Sequence, residues 1–141
     1  MPDPAVDLVP LCDRLLQEVT APWVRELGLR TLRADAQAVW LEMPVQPALV
    51  HGGGVVCGQA LMAVADTAMI LVVACSLGEF RPMTTVQLQT SFLRPVPADA
   101  GELRVVCTVL RRGRSLAFGE VEIATADGRL AAHATTTYAL L

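Results

Sequence analysis

The sequence predicts an α+β fold in which an antiparallel β-sheet packs around one long helix. The first supporting observation is an apolar run, Ala60–Cys75, whose only charged residue is Asp66. A helix that is apolar on nearly all of its faces is expected where a sheet wraps around it. The second observation is that two segments with strand character precede this run and four follow it. Such grouping of strands, without regular alternation with helices, is typical of α+β proteins.

Length and composition predict one domain that associates with copies of itself. A chain of 141 residues can bury most of its surface. We assign residues 1–141 to one domain, with 1–28 as an N-terminal helical segment. Apolar residues make up 53% and charged residues 18%, an apolar excess that predicts a homo-oligomer. The net charge of −3 does not favour a nucleic-acid partner.

The cysteines predict no metal site. They show neither CxxC spacing nor a histidine at zinc-ligand spacing, and their neighbours are apolar: Cys12, Cys57, Cys75 and Cys107. Such positions suit reduced, buried thiols in a cytoplasmic protein. The segment Met1–Pro4 has no signal-peptide character, which agrees with that expectation.

The first elements are a helical segment and two strands. Leucines recur at helical spacing within Pro4–Gly28, and Pro22 is expected to end or kink this helix. Leu29–Val45 alternates as two strands that turn near Asp35–Ala38, and Pro44 closes the segment.

The long helix is predicted over Cys57–Leu77, with Gly78 just past its end. Gly52–Gly54 cannot lie inside a helix. About twenty residues give a length of about 30 Å. Hydropathy alone also permits a membrane span, but Asp66 and Gln59 oppose it and no basic flank supports it. We therefore expect a core helix.

Four strands are predicted after the helix: Thr84–Leu93, Leu103–Leu110, Ser115–Ala124 and Leu130–Leu140. In the first strand, odd positions from 85 to 91 are expected on one face and even positions from 86 to 92 on the other. Asp127-Gly128 indicates a hairpin turn between the last two strands. The basic cluster Arg111–Arg114 is either a polar turn or a contact for the phosphates of a nucleotide-bearing ligand.

Asp66 is the leading candidate for chemistry. Its own helix face is apolar and offers no partner: Met62, Ala63, Met69 and Ile70. A carboxylate there is costly to bury unless something pairs with it or uses it. Asp66 is therefore either a general base or nucleophile directed at an acyl carbon, or a structural residue held by hydrogen bonds.

The helix start near Gly58 is the candidate oxyanion site. Free N–H groups and the positive end of the helix dipole lie there, and glycine permits close approach of a carbonyl. Gly52–Gly54 can equally be a simple loop turn. Gly58 lies eight positions before Asp66, about 12 Å along a helix. One site holds both more easily if they come from two chains.

The case for a catalytic role is weaker for the other candidate residues. His51 is either a base, an orienting donor or a solvated loop residue. Thr84 and Thr85 either orient a water or carboxylate or are ordinary strand residues. Cys57 has no visible base beside it, so burial explains it better than catalysis. His133 is interpreted as structural.

Two segments carry a family resemblance: Gly58–Ala68 and Thr85–Pro95. With Gly128–Leu140, they resemble the hotdog-fold acyl-CoA thioesterases of the PaaI type. The resemblance covers roughly Trp40–Leu141. It implies a long helix wrapped by an antiparallel sheet, a homodimer or homotetramer, and thioester hydrolysis without a cofactor.

The family pattern before the helix reads Asn-x-x-Gly-x-x-His-Gly-Gly, with a catalytic carboxylate nine residues after the His. When Asp66 is aligned with that carboxylate, Gly58 and Gln59 align with the two glycines and Cys57 aligns with the His. The visible His51-Gly52-Gly53 lies six residues too early to be this motif.

The resemblance implies roles for each matched position. Asp66 is the base or nucleophile, the Gly58 N–H is the oxyanion donor, and Thr85 positions water. His51 takes the substrate-orienting place of the Asn. The remaining matched or neighbouring positions are expected to contact substrate: Gly54, Cys57, Gln59, Thr84 and Met62.

Three functions follow from these expectations. The first is an acyl-CoA thioesterase that acts on an aryl- or fatty-acyl thioester. The second is a non-catalytic acyl-CoA-binding protein of the same fold, which the cysteine in place of the His supports. The third is an enoyl-CoA hydratase or dehydratase, which ranks lowest because no matching Asp-x-Asn-Pro-x-His motif is present.

Overall fold

In the computed structural model, residues 6–141 are described, and they form a six-stranded antiparallel sheet packed on one long helix. The elements are α1 Val9–Glu18, α2 Pro22–Arg25, β1 Arg30–Ala34, β2 Ala38–Pro44, a short 3₁₀ turn Pro47–Leu49, α3 Gly58–Leu77, β3 Met83–Phe92, β4 Glu102–Arg112, β5 Leu116–Thr125 and β6 Leu130–Leu140. The strand order is β1-β2-β4-β5-β6-β3. This arrangement confirms the predicted hotdog fold.

The N-terminal segment contains two short helices. The predicted start at Pro4 lies outside the described residues, and α1 begins at Val9. Pro22 is the first residue of α2, where its missing N–H costs nothing because that group has no partner within the helix. Gln46 fixes the far end of α2, since its side-chain amide donates to the carbonyls of Glu26 (3.1 Å) and Leu27 (3.3 Å).

The helix α3 lies in the core. Thirteen of its residues are buried, and Gly78 ends it in the left-handed region at φ 83°. It is the one described helix long and apolar enough to span a membrane. However, 72% of its most apolar stretch is buried inside the protein. The sheet therefore supplies the apolar surroundings that this composition requires.

The strand β3 lies at an edge of the sheet and contains a bulge. It pairs only with β6 among the described strands, and the register shifts between Thr85 and Gln87, with Val86 as the extra residue. The predicted strict alternation through this strand is therefore wrong, because a bulge exchanges the two faces for all later residues. As a result Thr85 and Leu88 both face α3, although one number is odd and the other even.

Gly119 on β5 lets the sheet approach α3 closely. A methyl group there would lie 2.4 Å from Met69 Sδ and 3.2 Å from the Thr108 carbonyl oxygen. Met69 is fully buried, so its sulfur can move aside only by displacing neighbouring core atoms. We expect Gly119→Ala to lower the free energy of unfolding by about 1–3 kcal/mol through overpacking. Denaturant unfolding tests this, with Gly52→Ala as the control because nothing lies within 4 Å of its added methyl group.

Candidate active site

The Asp66 carboxylate is held by two hydroxyl groups from the sheet. Thr85 Oγ1 donates to Asp66 Oδ1 at 2.8 Å, and Tyr138 OH donates to the same oxygen at 2.6 Å. Tyr138 OH also lies 2.9 Å from the Asp66 backbone carbonyl oxygen. Asp66 Oδ2 has no hydrogen-bond partner within residues 6–141. One carboxylate oxygen is thus fixed while the other remains available.

The two hydroxyl groups meet at Asp66 because of strand register. Thr85 and Tyr138 are directly opposite each other on β3 and β6, so their side chains share the face toward α3. Tyr138 is only 1% exposed. Burial and the neighbouring Asp66 raise the pKa of its hydroxyl well above the ordinary value. Tyr138 therefore stays protonated and can act as a permanent donor to the carboxylate.

Asp66 opens into a cavity of about 340 Å³, named here the Asp66 cavity. Its other walls come from α2, α3 and β3: Trp23, Val24, Gln59, Met62, Ala63, Thr67 and Leu88. Asp66 is the only charged residue among them. Three of the predicted site residues therefore line one cavity: Asp66, Gln59 and Met62. The cavity offers a single carboxylate beside a mainly apolar volume.

The start of α3 presents free amide groups. Cys57 is the N-cap residue, its side chain does not cap the helix, and its own N–H bonds to the Leu49 carbonyl at 2.8 Å. In the part of the chain that the structure describes, the N–H groups of Gly58 and Gln59 have no acceptor. These two N–H donors and the positive end of the helix dipole can together stabilise a bound anion.

Gly58 lies in a second cavity of about 230 Å³, the Gly58 cavity, whose walls include Leu61, Phe92 and Arg94. A methyl group on Gly58 would approach the Phe92 ring to 3.3 Å. Asp66 does not line this cavity. One chain therefore keeps Gly58 and Asp66 in separate cavities along the same helix.

His51 and Gly54 lie in a tight loop before α3. The His51 Nδ1 atom accepts the Gly53 N–H at 2.8 Å, and the exposed imidazole lines neither the Asp66 cavity nor the Gly58 cavity. Gly54 adopts φ +85°, a conformation that favours glycine and closes the turn. The tight turn is therefore a sufficient structural reason for glycine at this position. The substrate-orienting role of His51 stays a prediction.

Cys57 and Thr84, two further predicted substrate contacts, do not line the Asp66 cavity. Cys57 lines a third cavity of about 230 Å³, the Cys57 cavity, which shares Trp23 and Gln59 with the Asp66 cavity. Thr84 is exposed, and alternation before the bulge turns its side chain away from Asp66. Thr85 therefore contacts the carboxylate and Thr84 does not.

Tyr138 is the residue that sequence reasoning missed. The one available signal was a single tyrosine in a last strand whose other residues, apart from His133, are small or aliphatic. A buried tyrosine hydroxyl needs a hydrogen-bond partner, and a lone carboxylate on the core helix also needs one. Pairing the two unsatisfied groups would have suggested the contact.

For the thioester hydrolysis that the sequence predicts, we expect Tyr138→Phe to lower kcat about tenfold, which is the typical loss for one hydrogen bond to a charged group. The Michaelis constant should change little, because Tyr138 contacts Asp66 and does not line the Asp66 cavity. Steady-state kinetics measure both constants. In an Asp66→Asn background the same substitution should have almost no further effect on kcat, since coupled residues are not additive. If Tyr138→Phe lowers kcat by the same factor in both backgrounds, Tyr138 does not act through Asp66.

Comparisons with known proteins identify relatives of this chain. The model of the thioesterase superfamily matches residues 53–132, which include the α3 start, Asp66 and Thr85. A protein of Saccharolobus solfataricus, provisionally described as an esterase, is 26% identical over 115 residues, covering 82% of this chain and 80% of that protein.

Two solved structures show the same fold. A conserved protein of Pseudomonas aeruginosa is 30% identical with a TM-score of 0.79, covering 89% of this chain and 98% of that chain. A mutant of the phenylacetic acid degradation protein PaaI from Thermus thermophilus is 25% identical with a TM-score of 0.74, covering 86% and 100%. Since the family model spans more than half of the sequence, this chain belongs to the thioesterase superfamily.

Proposed function

We propose that this protein hydrolyses acyl-CoA thioesters, with Asp66 as the general base or nucleophile. The observation that carries the proposal is the state of the carboxylate. Thr85 and Tyr138 fix one oxygen, and the other is available beside a mainly apolar cavity. The available oxygen can take a proton from a water molecule in the cavity or reach a bound acyl carbon.

The oxyanion donor in this proposal is the Gly58 N–H of a second chain. Within one chain Gly58 and Asp66 line different cavities. The exposed edge strand β3 offers a way to join them, because Phe92 touches Gly58 near one end and Thr85 touches Asp66 near the other. Antiparallel pairing of two β3 strands about a twofold axis would bring each Phe92 end beside the partner's Thr85 end.

The exposed apolar side chains on β3 support this dimer. Val86 is 58% exposed and Phe92 is 51% exposed, and Leu93 follows directly. An edge strand that leaves its backbone groups unpaired beside such side chains is suited to pair with another strand. The dimer would contain two equal sites, each built from both chains.

The reaction then follows from the placed groups. The thioester carbonyl oxygen accepts the Gly58 N–H, and Asp66 takes a proton from water as that water attacks the carbonyl carbon. The C–S bond breaks when the tetrahedral intermediate collapses, and the departing thiolate takes the proton. Attack by Asp66 itself is the other route, and it would pass through an acyl-aspartyl anhydride. Arg94 beside Gly58 supplies a cation for the phosphates of CoA.

The test is thiol release from a panel of aryl-, medium-chain and long-chain acyl-CoA substrates. We expect turnover of at least one class by the wild-type protein. A non-catalytic acyl-CoA-binding protein is the second candidate, which Cys57 in place of the family histidine favours. Tight acyl-CoA binding by calorimetry with no thiol release would support that second function and reject hydrolysis.

A further inference from the structure

The turn between β4 and β5 carries a basic cluster that the proposed reaction does not use. Four arginines lie at this end of the sheet, three in or beside the turn and one just before β3: Arg111, Arg112, Arg114 and Arg81. The end of β6 holds the two segments together. Leu140 N–H donates to the Ser115 carbonyl at 2.8 Å, and the next N–H, of Leu141, donates to the Pro82 carbonyl at 2.9 Å. None of the four arginines forms a salt bridge within residues 6–141, although the whole chain has a net charge of −3. Positive charge is therefore concentrated at one end of an acidic protein.

Exposed leucines accompany these arginines. Leu110 is 58% exposed, Leu116 is 40% exposed, and Leu141 is exposed as well. The proposed β3 dimer does not cover Leu110 or Leu116, because β4 and β5 lie two or more strands from that edge. We name the four arginines and three leucines the hairpin patch. Its residues line none of the three cavities named above, whereas sites for small molecules are concave. Arginines around exposed apolar side chains are instead typical of a surface that binds another protein.

Strand register places the hairpin patch at the same end of the sheet as Asp66. Leu116 is opposite Ala139 on β6, and Ala139 is opposite Thr84 on β3. Two strand spacings of about 4.8 Å put the backbones of Leu116 and Thr84 about 10 Å apart. Thr84 is exposed, and the next residue, Thr85, donates to Asp66. A partner bound at the hairpin patch can therefore deliver a thioester past Thr84 on a flexible arm.

We propose that the hairpin patch docks an acidic acyl-carrier protein, which presents its acyl group to Asp66 on a phosphopantetheine arm. This inference rests on the proposed thioester hydrolysis and adds a second carrier for the same bond. Carboxylates of the carrier pair with the arginines, and its apolar side chains contact Leu110 and Leu116. Arg94 of the partner subunit, which the proposed dimer brings to the same site, meets the phosphate of the arm. Water again attacks the carbonyl carbon, the C–S bond breaks, and the arm leaves as a thiol with the proton taken from water.

Two other partners account for less of the hairpin patch. The phosphates of CoA would explain the arginines but not the exposed leucines beside them. An anionic lipid surface would meet both kinds of side chain, but it carries no thioester, and the hairpin patch lies beside the thioester site. An acidic protein that carries the acyl group explains the charge, the apolar side chains and the position together.

The kinetic test places one acyl group on two carriers, CoA and a purified acidic acyl-carrier protein. We expect the wild type to release thiol from both. Arg114→Glu should lower kcat/KM about tenfold for the carrier-protein substrate, because it sets like charges against each other, and less than about twofold for the acyl-CoA. Arg14→Glu is the matched control, since Arg14 is also exposed and forms no salt bridge within residues 6–141. Turnover of the acyl-CoA alone, or an equal loss for both substrates in Arg114→Glu, would overturn the proposal.

Binding measurements separate this inference from the proposed function. Calorimetry of the Asp66→Asn protein with the acyl-carrier protein measures docking without hydrolysis. We expect binding that weakens with added salt and with the further substitution Arg114→Glu. A wild-type protein that releases no thiol from any substrate would reject hydrolysis, whereas the absence of carrier binding would reject the docking surface. Binding to phosphatidylglycerol vesicles in place of the carrier would identify a lipid surface as the partner and would also overturn the proposal.

Discussion

Asp66→Asn is expected to lower kcat by about 100- to 10,000-fold, the usual contribution of a positioned acid–base group. The asparagine oxygen can still accept the hydrogen bonds from Thr85 and Tyr138, so the fold around it should persist. The amide cannot take a proton from water and is a poor nucleophile. Thiol release from the best acyl-CoA substrate and thermal unfolding of the same preparation measure both effects.

The control for this substitution is Glu79→Gln, which makes the same chemical change at an exposed position just after α3. It should retain wild-type turnover. The Asp66→Asn protein could instead unfold at the wild-type temperature and keep more than about a tenth of wild-type kcat. That result would show that Asp66 is not the catalytic base, because a loss below tenfold is smaller than the contribution of base catalysis.

The substitution Gly58→Pro is expected to lower kcat by about 100- to 1,000-fold, because it removes one oxyanion donor. Proline suits this position structurally, since Gly58 is the first residue of α3 and Cys57 has φ −68° and ψ 147°, as residues before proline prefer. The substitution therefore deletes an N–H group with little strain on the helix.

Gly58→Ala is the matched control, because it adds a comparable carbon beside Phe92 and keeps the N–H. Phe92 is half exposed and can move aside. We expect Gly58→Ala to lose far less activity than Gly58→Pro. If both variants lose the same activity, the effect comes from crowding at Phe92, and the Gly58 N–H is not the oxyanion donor.

Local patterns in the sequence were enough to predict the helix α3 and most strands. The apolar run and Gly78 place the helix within one residue, and Asp127-Gly128 places the last hairpin, because each signal depends on neighbouring residues only. Asp66 was recognisable because a charge inside an apolar helix is costly without a partner.

Long-range register explains what the sequence could not predict. The bulge at Val86 and the pairing of Thr85 with Tyr138 depend on how β3 and β6 align, and residues far apart in the chain decide that. The exposure of Trp23 depends on the placement of α2, which Gln46 holds through a hydrogen bond to a residue 20 positions earlier, and no local pattern indicates it.

The central claim is that each active site combines Asp66 of one chain with Gly58 of its partner. The most direct test co-expresses Asp66→Asn and Gly58→Pro chains with different tags and isolates the mixed dimers. Each mixed dimer would then contain one intact site and one doubly altered site, so we predict about half of wild-type activity from two individually inactive chains. If the residues act within a single chain, every site carries one lesion, and mixed dimers as inactive as either parent would contradict the claim.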